Sequence, residues 1–239
     1  AGCGFGSFEW SYAFSAACGH LDLLAETVPI EAGLSDPDLT DEEREKLALI
    51  IAARDFAGER IGLNVARNYR TFVNLHGRSL AWNLSASPKD AITPYIWNVP
   101  FVGPISYLGF FLKDDAEAER DRLVAAGFDT LIYEVDAYST LGLLPDPVPS
   151  ALLKRPAYTL PDTIFHELTH ATIYSGRDTV FDESLAVFVA RTAALAFLEE
   201  WYGQDSEMTR RAREHYQDSA RFNAFLAEAL SGLTAKVFR

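Results

Sequence analysis

Two histidines four residues apart, with a glutamate beside the first, stand out for chemistry: His166-Glu167-Leu168-Thr169-His170. On a helix, side chains at i and i+4 share a face, with Cβ atoms about 5–6 Å apart. Two imidazoles so placed can converge on one tetrahedral zinc ion. The glutamate points beside such a metal, where its carboxylate can take a proton from an attacking water. The implied chemistry is metal-assisted hydrolysis, with His166 and His170 as ligands and Glu167 as general base. A surface helix with two solvated histidines would carry the same letters. Ile164, Phe165, Leu168 and Ile173 oppose that reading, because they make the stretch strongly apolar and polar rings buried without partners are costly.

A catalytic zinc has three protein ligands and one open position. The remaining histidines are His20, His76 and His215, and none follows at a short spacing. His20 is expected to orient local structure, and His215, among Arg211, Arg213 and Glu214, to be solvated. Three acidic residues lie downstream: Asp178, Asp182 and Glu183. If the histidine helix ends near Ser175 and a second starts near Thr179, Glu183 lies about 6 Å along the second axis. In an antiparallel pair that returns it to the level of His170. Asp178 falls at the turn, where an N-cap role suits it. Asp182 is rotated by about 100° from Glu183 and could hydrogen-bond a ligand histidine. Packing alone leaves this choice open. Tyr138 and Tyr174 are candidate donors to an oxyanion, or packing residues.

The elements that must position these groups can be read from periodicity. Phe8 to Thr27 has helical spacing, with Trp10, Phe14, Leu21 and Leu24. Thr40-Asp41-Glu42-Glu43 is a capping box, and the helix it starts directs Leu47, Ile50, Ile51 and Phe56 inward as far as Gly62. Short runs of aromatic and β-branched residues between Tyr69 and Phe111 read as strands and turns. Lys113 to Gly127 reads as a helix burying Leu123 and Val124, Thr130 to Val135 as a strand, and Tyr138 to Pro149 as a loop. Beyond Leu160 the pattern is helical, with Pro161 in a first turn, a turn at Gly176 and Asp178, and a break at Gly203. The expected fold is α+β: a mixed amino-terminal lobe over 1–150 and a helical lobe over 151–239 that carries the metal site, together one domain.

The chain has 239 residues and a formal net charge of -13. That charge disfavours phosphate backbones, so no nucleic-acid partner is expected. No apolar run reaches the roughly 18 residues of a membrane-spanning helix. Cys3 and Cys18 form no C-x-x-C pair, which excludes zinc-ribbon and thioredoxin motifs. Ala1-Gly2-Cys3 resembles the end of a bacterial lipobox, in which the cysteine receives a lipid. Contact with a membrane is therefore expected only through a lipid on Cys3.

Phe181-Asp182-Glu183-Ser184-Leu185-Ala186 resembles the Asn-Glu-x-x-Ala pattern of gluzincin metallopeptidases, with Asp182 in place of the usual asparagine. The resemblance implies that Glu183 is the third ligand. A closer likeness covers more of the chain. His166 to His170, Tyr174, Asp178-Thr179, Phe181 and Glu183-Ser184 with Ala186 are similar to a bacterial family of zinc aminopeptidases, often predicted to be lipoproteins. Gly19-His20-Leu21-Asp22-Leu23-Leu24, Tyr138-Ser139-Thr140-Leu141-Gly142 and Asp146-Pro147 resemble that family too. It implies a zinc metallopeptidase with one Zn2+ per chain and a peptide substrate, facing the periplasm in the bacterial cell envelope. It also implies a native chain that continues past Arg239. Two other readings compete: a catalytically silent metal-binding lipoprotein scaffold, and a zinc hydrolase acting on a non-peptide amide or ester.

Overall fold

The structure is a computed structural model that describes residues 7–100, 102–137, 140, 144–175 and 178–237. Cys3, Tyr138 and Gly176 lie outside the described residues. Along the chain come α1 (Ser7–Ala25), β1 (Val28–Pro29), α2 (Ile30–Gly33), α3 (Asp41–Phe56), β2 (Thr71–Val73), β3 (Ala81–Pro88), β4 (Trp97–Val99), β5 (Gly103–Ile105) and β6 (Tyr107–Phe110). Then follow α4 (Lys113–Ala125), β7 (Phe128–Val135), β8 (Val148–Pro149), α5 (Leu160–Thr172), α6 (Thr179–Tyr202) and α7 (Glu207–Val237). The fold is α+β, as the sequence texture requires. Among the described residues no helix is long and apolar enough to cross a membrane.

Two compact units make up the chain. The first holds Ala1–Val28, Val73–Tyr138 and Pro149–Ala151; the second holds Pro29–Phe72, Ser139–Val148 and Leu152–Arg239. The sequence suggests a division at residue 150, yet the segment from Pro29 to Phe72 packs with the carboxy-terminal helices. Periodicity tells which face of α3 is buried but not what buries it. The answer is α5 and α6: the Phe56 ring lies 6.1 Å from Phe165 and 5.4 Å from Phe197.

In the first unit, β3 pairs antiparallel with β6 and with β7, in the order β6-β3-β7. Leu84, Trp97, Leu108, Phe110 and Leu123 form its core, with Tyr12 of α1 and Ile132 of β7 packed around them. The buried Trp97 indole donates to Glu119 Oε1 at 2.9 Å, and Arg122 holds the other Glu119 oxygen at 2.7 Å. The carboxylate buried in α4 is thus paired on both sides, as buried charges must be. Leu123 is buried as expected, but Val124 is 50% exposed, because one step along a helix turns a side chain by about 100°. Gly19 explains part of the segment Gly19-His20-Leu21: a Cβ there would lie 2.5 Å from the Phe111 ring.

In the second unit, the Thr40 side chain accepts from the Glu43 amide while Glu43 reaches back to the Thr40 amide, completing the capping box. Leu47 and Ile50 are buried as the pattern requires, whereas Ile51 and Phe56 are half-buried. Past Phe56 the helix widens to a π turn over Ala57–Ile61 and stops at Gly62, whose φ of 82° suits glycine. Further on, Gly203 (φ 98°) separates α6 from α7.

Two consequences are measurable. Thr40→Ala removes the cap of α3 and lowers stability by about 1 kcal/mol, seen as a lower urea midpoint. Tyr12 donates to Gly109 O at 3.0 Å, and burial pushes its hydroxyl up from 10.0 to about 12. A folded-state pKa above the unfolded value means that the stability it contributes is whole below pH 10.0 and disappears as pH rises through about 12. Unfolding midpoints should therefore fall over this interval, and fall less steeply in Tyr12→Phe.

Candidate metal centre

Pro161 sits in the first turn of α5, where its missing N–H costs nothing. One stripe of the helix buries Leu160, Ile164, Phe165 and Leu168. Phe165 meets Phe197 of α6 edge-on at 6.2 Å. This apolar contact fixes the rotation of α5, and the opposite flank then turns His166 and His170 toward α6. Thr163, Thr169 and Thr172 each satisfy their hydroxyl by donating to the carbonyl four residues back.

The sequence pattern suggests that α5 runs to Ser175, but it ends at Thr172, with Ile173 extended (φ -137°, ψ 110°). A β-branched residue followed by an aromatic favours an extended backbone, and this outweighs the helical periodicity. Asp178 is the N-cap of α6, as expected, accepting from the Phe181 amide at 3.0 Å. Asp182 is 2% exposed. Its Oδ1 accepts from the Ser175 amide at 3.0 Å and its Oδ2 from the Ser175 hydroxyl at 2.9 Å. This two-point clamp ties the segment leaving α5 to the first turns of α6, one residue before Glu183. Nothing in the sequence marks Ser175 for that role.

The three donors meet. His166 Nε2 lies 3.2 Å from His170 Nε2 and 3.3 Å from Glu183 Oε2, and His170 Nε2 lies 3.5 Å from Glu183 Oε1. Adjacent ligands of a tetrahedral zinc with bonds near 2.05 Å lie about 3.3 Å apart. The cluster fits that figure without rearrangement, and its donor set, two imidazoles and a carboxylate, is one that zinc accepts. Among the described residues no third histidine joins these groups. His20 belongs to the other unit, buried beside Phe111, and His215 is exposed as expected.

Electrostatics agree with the crowding. Hydrogen bonding from His166 and then His170 holds the Glu183 carboxyl well below the usual range. Burial pulls the His166 ring down, but its bond to Glu183 and the charges of Glu167, Glu183 and Asp162 outweigh that, and the net shift is upward. Glu167 is part-buried, and burial raises its carboxyl against the pull of His166 and His170. The Tyr174 ring stands edge-on to His170 at 6.2 Å. Burial, then Asp182 and Glu183, raise its hydroxyl, which therefore stays protonated.

Two further features escape a reading for ligands alone. His170 Nδ1 is buried without a hydrogen-bond partner, so Asp182 does not hold that ring from behind. Asp162 lies one turn before His166, the spacing that makes helical neighbours, and the i−4 position was the available clue. Burial raises its carboxyl, with Tyr216 and Arg191 acting in the opposite direction.

Fold and cluster together define an α+β protein with a two-histidine, one-glutamate centre on paired helices. A protein-family model described as "Putative aminopeptidase" matches residues 11–237. The chain belongs to that family, and the family's description assigns peptidase activity and with it a peptide substrate. No curated protein and no solved structure matches the chain.

Removing the clamp tests its weight. Asp182→Ala leaves both Ser175 donors without their acceptor, and stability should fall by about 1–3 kcal/mol, measured by urea unfolding. Asp182→Asn, which keeps one acceptor, should lose less.

Proposed function

We propose that this chain is a zinc-dependent aminopeptidase in which His166, His170 and Glu183 hold one zinc ion and Glu167 is the general base. One observation carries the reading: three lone-pair donors converge at 3.2–3.5 Å, with a part-buried carboxyl on the same helix. Bound zinc would supply Lewis acidity, making water acidic enough to attack at neutral pH and polarising the scissile carbonyl. Glu167 accepts the proton of the attacking water on its carboxylate and returns it to the leaving amine. Its raised pKa suits it to hold that proton between the two transfers. Tyr174, kept protonated, is a donor toward the oxygen that gains negative charge. The exopeptidase part of the reading rests on the family's description; the cluster by itself suits a hydrolysable amide or ester.

Elemental analysis of protein prepared without chelator should find about one zinc per chain, and His166→Ala or His170→Ala should abolish it. Zinc still absent after reconstitution would refute the centre.

Glu167→Gln should keep the metal and lose turnover of aminoacyl fluorogenic substrates by about two to four orders of magnitude. Near-native turnover in that variant would exclude Glu167 as the base. Turnover of esters alone would move the assignment to a non-peptide hydrolase, and a zinc-loaded protein that turns over neither class would be a scaffold.

A further inference from the structure

The surface beside the donors is unusually apolar. Val180, Glu183 and Val187 stand at i, i+3 and i+7 on α6, a single stripe along the helix. Val180 is 77% exposed and Val187 36% exposed, so the candidate ligand is bracketed, one turn before and one turn after, by aliphatic side chains that are exposed among the described residues. Helical neighbours of this kind have Cβ atoms about 5–6 Å from that of Glu183. Phe181 and Phe188 extend the exposed apolar surface around α6, and Ile173 and Tyr174 extend it across the end of α5. Exposed apolar side chains grouped in this way mark binding surfaces, and Val180 and Val187 flank a donor of the cluster.

The charged groups nearby narrow the occupant. Glu167 on α5 couples to both histidines and Glu183 on α6 hydrogen-bonds them, while Asp178 caps α6 and Asp182 is hydrogen-bonded to Ser175. A carboxylate brought by a ligand would meet Glu167 and Glu183 and would bury its charge against valines. An aliphatic or aromatic side chain would remove apolar surface from water on both partners.

We propose that Val180 and Val187 form the specificity surface for an apolar residue adjoining the scissile bond, so that the preferred substrates are peptides with Leu- or Phe-like side chains there. The inference rests on the peptidase reading for the position of the substrate. It concerns binding, and can be tested apart from turnover.

The test is peptide affinity, measured by calorimetry on zinc-loaded Glu167→Gln, in which hydrolysis is removed. The probes are short peptides that differ only in carrying Leu or Asp at the first or second position. The Leu peptide should bind about ten- to a hundred-fold more tightly, the ratio expected for burying one such side chain. Adding Val180→Asp and Val187→Asp together should erase that ratio while zinc content is unchanged. Both positions are solvent-exposed, and zinc retention reports that the site is intact. Phe225→Asp, on an exposed part of α7, should leave the ratio as it was. Equal affinities for the Leu and Asp peptides, or a preference that survives the double substitution, overturn the proposal. A retained Leu preference in a chain whose wild type cleaves neither peptide would uphold this surface and refute the peptidase assignment instead.

Discussion

Two imidazole nitrogens and a carboxylate oxygen lie within 3.2–3.5 Å of one another, close enough for a proton or a cation to be shared among them. Burial of His170 at 5% exposure removes much of the water that would screen their interactions. A shared proton is one solution, and the shifts of His166 upward and Glu183 downward express it. A dication is the other, and it satisfies all three donors at once. Proton and metal compete for the same place, which is why ligand sets of this kind must be deprotonated to bind.

Holding the donors at these positions is work for apolar packing some distance away. Phe56, Phe165 and Phe197 form a triangle of rings, each within 6.2 Å of the others. Three helices therefore share one anchor. Aromatic contacts of this geometry contribute about 0.5–1.5 kcal/mol each beyond the area they bury. The triangle fixes the rotation of α5 and α6 about their axes; the cap at Asp178 and the clamp at Asp182 fix where α6 begins. Rotation and start together determine where Glu183 points.

The histidine face was legible in the sequence because it depends only on the 3.6-residue period, which is local. So were the capping box of α3, the N-cap at Asp178 and the strand at β7. Glu183 needed more: its level relative to His170 depends on where α5 stops. The expected end at Ser175 was three residues too late, because the extended preference of Ile173 and Tyr174 competes with periodicity and no glycine or proline marks the boundary. The grouping of the segment from Pro29 to Phe72 with the carboxy-terminal helices was not legible at all. A buried stripe on α3 is compatible with any apolar partner, and only the assembled rings identify α5 and α6 as that partner.

The departure at position 182 from the asparagine of the gluzincin pattern has a physical account. Ser175 sends two donors to one side chain, its amide and its hydroxyl. A carboxylate accepts both directly. An asparagine could keep both contacts only with its NH2 turned to the hydroxyl, which would then serve as the acceptor. The carboxylate also brings a charge, and burying a charge at 2% exposure is costly without compensation. Compensation is at hand: Asp182 lies in the first turn of α6, where the helix dipole favours an anion, and charge-assisted hydrogen bonds are the stronger kind. The same charge helps to raise the Tyr174 hydroxyl and so keeps its proton in place.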